Sequence, residues 1–224
     1  SFDLQTLGFE SGTIESFKKL IRQPSGLILL NGPTGSGKTT AIYSALCHLL
    51  DAHGPTISIS TVEDPVEFNL PMISQSQISN SRGFTYPKAL RSLMRQDPEA
   101  IMIGEIRDPE TAAIAVQAGL TGHMVISTIH SDSTVGVYAR LINMDIEPFL
   151  LASSITGVLG LRLLRTICPR CKTKAQPNPE HLTLLPEAFV EETTFYTGAG
   201  CDSCSQTGYL GRVAVTELLN SSEP

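Results

Sequence analysis

Residues 31–40, Asn-Gly-Pro-Thr-Gly-Ser-Gly-Lys-Thr-Thr, constrain the fold more than any other part of the chain. From Gly32 to Thr39 they match the P-loop pattern Gly-x-x-x-x-Gly-Lys-Thr without a mismatch. An apolar run at 27–30, typical of a buried strand, precedes the loop, and a helical pattern at 40–50 follows it. Because the backbone N–H groups of such a loop and the helix N-terminus bind phosphate, we predict a nucleotide site here. The alternative is a glycine-rich turn that happens to precede a helix.

The P-loop pattern gives two of its side chains specific roles. Lys38 is expected to reach the β- and γ-phosphates, and the Thr39 hydroxyl is expected to hold Mg²⁺. The predicted nucleotide-binding residues of the loop are Gly32, Pro33, Thr34, Gly35, Ser36, Gly37, Lys38, Thr39 and Thr40.

Composition limits the class of protein. The 224 residues are 41% hydrophobic and 17% charged, with a net charge of −6, which argues against a general nucleic-acid or anionic-membrane surface. No apolar run approaches the ~18 residues of a membrane span, and residues 1–4 lack the features of a signal peptide. We expect a soluble, cytoplasmic protein. Because the sequence starts without methionine, we also expect it to be a part excised from a longer chain.

Acidic residues follow a predicted strand. Residues 56–62 alternate as a strand does and run directly into Glu-Asp-Pro-Val-Glu at 63–67. In open α/β sheets, ligands bind at this carboxyl end of the strands. The carboxylates could form a solvated turn, but a P-loop site needs a carboxylate that polarises the attacking water. Glu67 is the first candidate for this base, and Glu63 is the second.

A second apolar strand, 100–105, ends in Glu105 and has the form of a Walker B element. Its carboxylate would orient the Mg²⁺ shell or the water. His130 ends a further strand at the same predicted edge, where it could contact the γ-phosphate or be purely structural. Arg91 and Arg95 share one face of a predicted helix at 86–95, and they are either solvated or phosphate-binding.

Strand, P-loop and helix, followed by alternating strands and helices, predict an α/β RecA-like P-loop NTPase fold with a mostly parallel sheet over 1–167. The last element of this domain is predicted to be an apolar helix from 148 to 167 that carries Arg162 and Arg165.

The composition changes at residue 168, where the first of two Cys-x-x-Cys pairs begins. The second pair follows about thirty residues later. Cys168, Cys171, Cys201 and Cys204 can supply four thiolates to a tetrahedral zinc ion with no open position. Two redox-active pairs are the poorer alternative, because neither pair opens a helix that would stabilise a thiolate. We predict a small tetracysteine zinc module at 168–212 and the start of a truncated C-terminal segment at 213–224. Cys47 is expected to serve in packing.

Taken together, the motifs resemble those of the secretion ATPases that drive type II secretion and type IV pilus assembly, the GspE and PilB family. The matching motifs are Gly-Pro-Thr-Gly-Ser-Gly-Lys-Thr-Thr at 32–40, Val-Glu-Asp-Pro-Val-Glu at 62–67, Arg-Gln-Asp-Pro at 95–98, Gly-Glu-Ile-Arg-Asp at 104–108, Thr-Gly-His at 121–123 and Ser-Thr-Ile-His at 127–130. In that family they are the Walker A, Asp box, Walker B and His box elements.

The resemblance implies a role for each motif. Lys38 and Thr39 would bind phosphate and Mg²⁺, Glu67 and Glu105 would serve the water and the metal, and His130 would sense the γ-phosphate. Arg91 and Arg95 match arginines that face a neighbouring nucleotide, and the zinc module is typical of the secretion and pilus-extension branch. The resemblance also implies an N-terminal domain and C-terminal helices in addition to these residues.

The resulting functional hypothesis is Mg²⁺-dependent ATP hydrolysis in a homohexameric motor. The motor would act on an inner-membrane platform and would be associated with the membrane through its partners. A nucleotide-gated scaffold with little turnover is one rival hypothesis. A zinc-containing nucleic-acid motor is another, and the acidic net charge and the lack of a basic-aromatic stretch argue against it.

Overall fold

The computed structural model describes residues 2–187, 190 and 193–221. Four residues of the predicted zinc module, 188, 189, 191 and 192, lie outside the described residues, as do the last three of the predicted C-terminal segment, 222–224.

Strands and helices alternate along most of the chain. The strands are β1 (Gly26–Asn31), β2 (Ile59–Glu63), β3 (Ser74–Gln77), β4 (Ala100–Ile103), β5 (Met124–Ile129), β6 (Ile155–Ile167), β7 (Lys172–Lys174), β8 (Tyr196–Gly198) and β9 (Tyr209–Asn220). The α-helices are α1 (Ser11–Ile21), α2 (Lys38–His53), α3 (Tyr86–Leu93), α4 (Pro109–Leu120), α5 (Gly136–Ile142), α6 (Pro148–Ser154) and α7 (Pro179–Leu182).

The main sheet has seven strands in the order β3-β2-β4-β5-β1-β6-β9. Strand β1 runs parallel to both of its neighbours, β5 and β6, and β2 runs parallel to β3 and β4. Strands β4 and β5 are also parallel. The carboxyl ends of β1, β2, β4 and β5 therefore meet at one edge of the sheet. This confirms the predicted α/β fold with a mostly parallel sheet.

Helices cover both faces of the sheet, and each face has its own apolar core. Ile28 and Leu30 of β1 belong to the core that includes residues of α1 and α2. Leu27 and Leu29 belong to the core formed with α3 to α6. Because both faces are covered, every residue of β1 is buried, which explains why the strand reads as a continuous apolar run rather than an alternating one.

The predicted helix over 148–167 is wrong beyond Ser154. The helix ends there, and the chain continues as β6 from Ile155. The β-branched residues after Ser154 favour a strand. A glycine at 157 also suits close packing, because a Cβ atom there would lie 2.6 Å from Leu20 Cδ1. A short apolar run of this kind does not distinguish a buried strand from a helix by periodicity.

The described residues form two compact units. One comprises 2–162 together with 214–221, and the other comprises 163–213. Within the first unit, the backbone N–H of Ser221 donates to the Thr156 carbonyl at 3.1 Å, so the end of β9 lies beside the start of β6. The predicted domain bounds at 167/168 and 212/213 stay a prediction.

No helix in the described part of the chain is long and apolar enough to cross a membrane.

Candidate nucleotide site and metal centre

The P-loop connects β1 to α2 in a conformation that depends on its glycines. Gly32 has φ 149°, and a Cβ atom on it would lie 2.3 Å from the carbonyl oxygen of Leu161. Gly37 adopts the left-handed conformation, with φ 92°, immediately before α2 begins at Lys38. A side chain at either position would be strained, which explains why glycine stands there.

The tip of the loop is open to solvent and its base is not. Pro33, Thr34 and Gly35 are exposed, whereas Ser36 is buried. The Ser36 hydroxyl has no hydrogen-bond partner among the described residues.

The Lys38 ammonium is held at the start of the loop. Its Nζ donates to the carbonyl oxygens of Gly32, at 2.7 Å, and Pro33, at 2.9 Å. Burial lowers the pKa of Lys38, the nearby carboxylate of Glu105 raises it, and the guanidinium of Arg162 lowers it. The net shift is downward, because desolvation outweighs the carboxylate. Lys38, Glu105 and Arg162 are therefore close enough to interact electrostatically.

Glu105 and His130 lie side by side because they follow neighbouring parallel strands, β4 and β5. His130 Nε2 is 3.8 Å from a Glu105 carboxylate oxygen, and the other oxygen is paired with Arg107. The Thr128 hydroxyl donates to the Gly104 carbonyl at 2.8 Å, which ties the two strand ends together. The side chain of Glu105 is only 14% exposed, whereas that of His130 is 56% exposed. The predicted Walker B carboxylate therefore has a partly desolvated position at this edge of the sheet.

Glu63 is buried, and other side chains surround its carboxylate. One oxygen accepts hydrogen bonds from the Thr61 hydroxyl, at 2.5 Å, and from the Gln75 amide, at 3.0 Å. The other oxygen accepts from the Tyr43 hydroxyl. Burial, followed by this carboxylate, raises the pKa of Tyr43 to about 12. Glu63 is 2% exposed, so this conformation offers water little access to its oxygens.

Glu67 faces the first turn of α2 across a small cavity of about 170 Å³. The cavity is lined by Phe2, Thr39, Thr40, Tyr43, Glu67 and Phe68. Three of these residues form an aromatic cluster: the Phe2 ring lies 5.2 Å from that of Tyr43 and 5.6 Å from that of Phe68, both edge to face. The structure thus brings Glu67 into one cavity with Thr39 and Thr40, and it places Glu105 beside His130 and within electrostatic reach of Lys38.

Arg91 and Arg95 are not brought to the P-loop by any contact in the described residues. Arg91 Nη2 pairs with Glu110 of α4 at 2.7 Å, and both side chains are more than half exposed. The predicted helix over 86–95 is too long at its end. Helix α3 ends at Leu93, so Arg95 lies outside it. Both arginines lie on the surface of this chain.

The four cysteines predicted to bind a metal converge in the second compact unit. Their sulfur atoms all lie within 4.8 Å of one another. The measured separations include 3.9 Å for Cys168–Cys201, 3.8 Å for Cys171–Cys204 and 3.7 Å for Cys201–Cys204. A zinc ion bound tetrahedrally at about 2.3 Å from each sulfur requires separations of about 3.8 Å. The sulfur atoms are too far apart for disulfides, and all four cysteines are free.

Backbone N–H groups support this sulfur cluster. The N–H groups of Cys201 and Gly208 each donate to Cys204 Sγ at 3.3 Å. Burial raises the pKa of the Cys204 thiol, but these hydrogen bonds outweigh burial and hold the pKa at about 6. A close approach of two glycines shapes the site, because a Cβ atom on Gly198 would lie 1.9 Å from the Gly208 carbonyl oxygen. The donor set and the spacing fit a structural zinc ion.

Comparison with known proteins identifies the family. The sequence pattern of the family described as "Type II/IV secretion system protein" matches residues 1–224. The chain belongs to this family.

Relatives in the family are similar over nearly the whole of this chain. The Type II secretion system ATPase E of Vibrio cholerae is 46% identical over 217 residues, which is 97% of this chain and 42% of that protein. The Type IV pilus assembly ATPase PilB of Thermus thermophilus is 44% identical over 219 residues, 97% of this chain and 24% of that protein. The chain therefore spans less than half the length of these relatives.

A solved structure of the pilus retraction motor PilT with bound ADP superposes with a TM-score of 0.61 at 33% identity, over 75% of this chain and 50% of that one. This likeness to the structure of a pilus motor supports the RecA-like fold. The zinc site rests on two other observations, the spacing of the four cysteines in the sequence and the convergence of their sulfur atoms.

The sequence did not predict several residues that contact the carboxylates of Glu105 and Glu63. Arg107 pairs with Glu105, and Tyr43 and Gln75 hold Glu63. Arg107 belongs to the Gly-Glu-Ile-Arg-Asp motif and could have been found from it. Gln75 carries no such signal, because its partners come from other elements.

Gln75 holds the loop that carries Glu67. Its amide nitrogen donates to the Phe68 carbonyl at 3.0 Å as well as to Glu63, and its amide oxygen accepts from the Leu70 N–H at 2.7 Å. One side chain thus links the end of β2 to the loop after it.

Gln75→Leu should therefore lower the free energy of unfolding by about 1–3 kcal/mol, because a buried carboxylate loses a donor. On the predicted role of Glu67 as the base, the substitution should also lower ATP turnover of the full-length protein by about tenfold, because Glu67 is then less well positioned. Urea unfolding followed by circular dichroism and steady-state phosphate release would measure the two effects. Gln117→Leu, at an exposed position on α4, is the matched control. Unchanged values for Gln75→Leu would show that the loop is held by other contacts.

Proposed function

We propose that this chain is the nucleotide-hydrolysing part of an ATPase that works in type II secretion or type IV pilus assembly. The observation that carries the proposal is the arrangement of Lys38, Glu105 and His130 around the P-loop at one edge of the parallel sheet. Relatives that are 44% and 46% identical are named as ATPases of these two systems. The substrate is ATP.

Each residue of the site has its own role in ATP hydrolysis. The P-loop backbone from Gly32 to Gly37 and the Lys38 ammonium bind the phosphates, and Thr40 lies in the first turn of α2 beside them. Glu105 or Glu67 accepts a proton from the water that attacks the γ-phosphorus, while the bond to the β–γ bridging oxygen breaks. His130 contacts the γ-phosphate. Because the buried Glu63 carboxylate accepts three side-chain hydrogen bonds, it fixes the end of β2 and does not serve as the base.

Two metal ions belong to the proposal. Thr39 holds Mg²⁺, which neutralises charge on the phosphates when it is bound with ATP. Cys168, Cys171, Cys201 and Cys204 hold one structural Zn²⁺, which stabilises the 163–213 unit and has no open position for chemistry.

The proposed assembly is a homohexamer that is peripherally associated with the inner membrane through platform proteins. Arg91 and Arg95, exposed on this chain, are suited to face the nucleotide of a neighbouring copy. Nucleic acid is not part of the proposed function, since the net charge is −6.

Binding and hydrolysis of Mg²⁺-ATP by the full-length protein test the proposal. Lys38→Ala should weaken ATP binding by about 100-fold, because charge-assisted hydrogen bonds to the phosphates are lost. Calorimetric titration with ATP would measure the change, and Lys19→Ala, at an exposed position on α1, is the control.

The outcomes separate the rival functions. Tight ATP binding without steady-state phosphate release would favour the nucleotide-gated scaffold. Stimulation of hydrolysis by DNA or RNA would favour a nucleic-acid motor. Equal ATP affinity for Lys38→Ala and the unchanged protein would remove the P-loop from the mechanism.

A further inference from the structure

A second cavity adjoins the P-loop on the α5 face of the sheet. Its volume is about 570 Å³, and its lining includes Gly32, Pro33, His130, Ser131, Arg140 and Arg162. We call it the α5 pocket. It begins where the P-loop leaves β1, and it shares His130 with the cluster around Glu105.

Basic side chains dominate the α5 pocket. Arg140 of α5 and Arg162 of β6 line it with His130, and Asp132 is its one carboxylate among the described lining residues. Neither arginine forms an ion pair within 4 Å in the part of the chain that the structure describes. The nearby Glu217 lines a neighbouring cavity that also includes Arg162 and Asp132.

Contacts with backbone oxygens orient Arg162. Its Nη2 donates to the Asp132 carbonyl at 3.2 Å, and its Nη1 donates to the carbonyl of the preceding residue, Leu161, at 3.4 Å. Neither contact neutralises the guanidinium. Its positive charge also acts on Lys38. Burial is the largest cause that lowers the pKa of Lys38, and Arg162 lowers it further. Lys38 at the P-loop and Arg162 in the lining of the α5 pocket are therefore within electrostatic reach of each other.

We propose that the α5 pocket binds inorganic phosphate and receives the phosphate released by hydrolysis. A guanidinium matches phosphate oxygens with two parallel N–H donors, and two unpaired guanidinium groups beside an imidazole suit a doubly charged anion. The P-loop retains the diphosphate of ADP, and the pocket gives the second product a separate place on the side of His130. This step rests on the proposed ATPase function.

Phosphate binding to the full-length protein with saturating ADP and Mg²⁺ tests the site directly. Arg140→Gln is expected to weaken binding of inorganic phosphate by about tenfold, as measured by calorimetry at constant ionic strength adjusted with chloride. Arg140→Lys should give an intermediate loss, because the charge remains without the paired donors. Arg82→Gln, at another exposed arginine, should change nothing. Phosphate affinity that is equal in Arg140→Gln, Arg162→Gln and the unchanged protein overturns the proposal.

A single-turnover experiment tests the role of the pocket in product release. Acid quenching measures cleavage of ATP, and a fluorescent phosphate sensor measures release. In Arg140→Gln, cleavage should keep its rate, and the delay between cleavage and release should shorten by about tenfold, because weaker binding raises the dissociation rate. Slower cleavage would place Arg140 in the chemical step, and an unchanged delay would remove the pocket from the release path. Failure of the ATPase proposal would look different, because the unchanged protein would then show no cleavage of ATP.

Discussion

Glu105→Gln is expected to lower the ATP turnover number of the full-length protein by about 10³-fold and to leave ATP affinity within about twofold. A positioned general base contributes about 10²–10⁴-fold, and the amide has the shape of the carboxylate without its charge or its basicity. Glu105 lies beside Arg107 and His130 at the end of β4, whereas the phosphate-binding groups come from the P-loop and α2. Binding and turnover should therefore separate.

Steady-state phosphate release and calorimetric titration with ATP would measure the two quantities for Glu105→Gln. Glu10→Gln removes an exposed carboxylate before α1 and should match the unchanged protein in both. Glu67→Gln is the informative companion. Turnover within about threefold of the unchanged protein for Glu105→Gln would take the role of base away from Glu105, and a large loss in Glu67→Gln would then give it to Glu67.

The P-loop and the parallel sheet could be predicted because their signals are local. The spacing from Gly32 to Thr39 is contained in one loop, and the apolar run before it is contained in one strand. The convergence of Glu105 and His130 also followed from topology, since the carboxyl ends of neighbouring parallel strands meet at one edge. The P-loop and the alternating strands and helices thus predicted both the fold and the shared edge of Glu105 and His130.

The arrangement around Glu63 could not be predicted, because two of its three hydrogen-bond donors come from other secondary-structure elements. Tyr43 comes from α2, Thr61 from β2 and Gln75 from β3. Considered one at a time, Tyr43 is interpreted as a packing aromatic residue, Thr61 as a strand residue and Gln75 as a polar residue of an edge strand. Only the folded chain shows that three side-chain donors surround the carboxylate of the second candidate base.

Arg162 shows how an error in secondary structure conceals a site. The predicted helix over 148–167 makes Arg162 one of two arginines on a mostly apolar helix. On β6 it lies two residues beyond Gly160, the last residue that pairs with β1, and it lines the α5 pocket together with Gly32 and Pro33 of the P-loop. The α5 pocket therefore became visible only once the strand was known.

The cysteine cluster differs from the nucleotide site because its stability is expected to depend on the metal. The 163–213 unit contains short elements: β7 and β8 have three residues each, and α7 has four. Units of this size have small apolar cores, and structural zinc binding contributes about 10–16 kcal/mol in comparable small domains. Folding and metal binding should therefore occur together.

Cys168→Ser should lower the zinc content of the purified full-length protein from about one equivalent to below about 0.1. It should also make residues 163–213 sensitive to protease, because three sulfur ligands hold the ion far less well than four. Elemental analysis and limited proteolysis with mass spectrometry would measure both effects. Cys47→Ser, at the half-buried free cysteine of α2, is the control and should retain zinc. ATP affinity should survive in Cys168→Ser, since the P-loop lies in the other compact unit. Less than about half an equivalent of zinc in the unchanged protein would contradict the four-thiolate site.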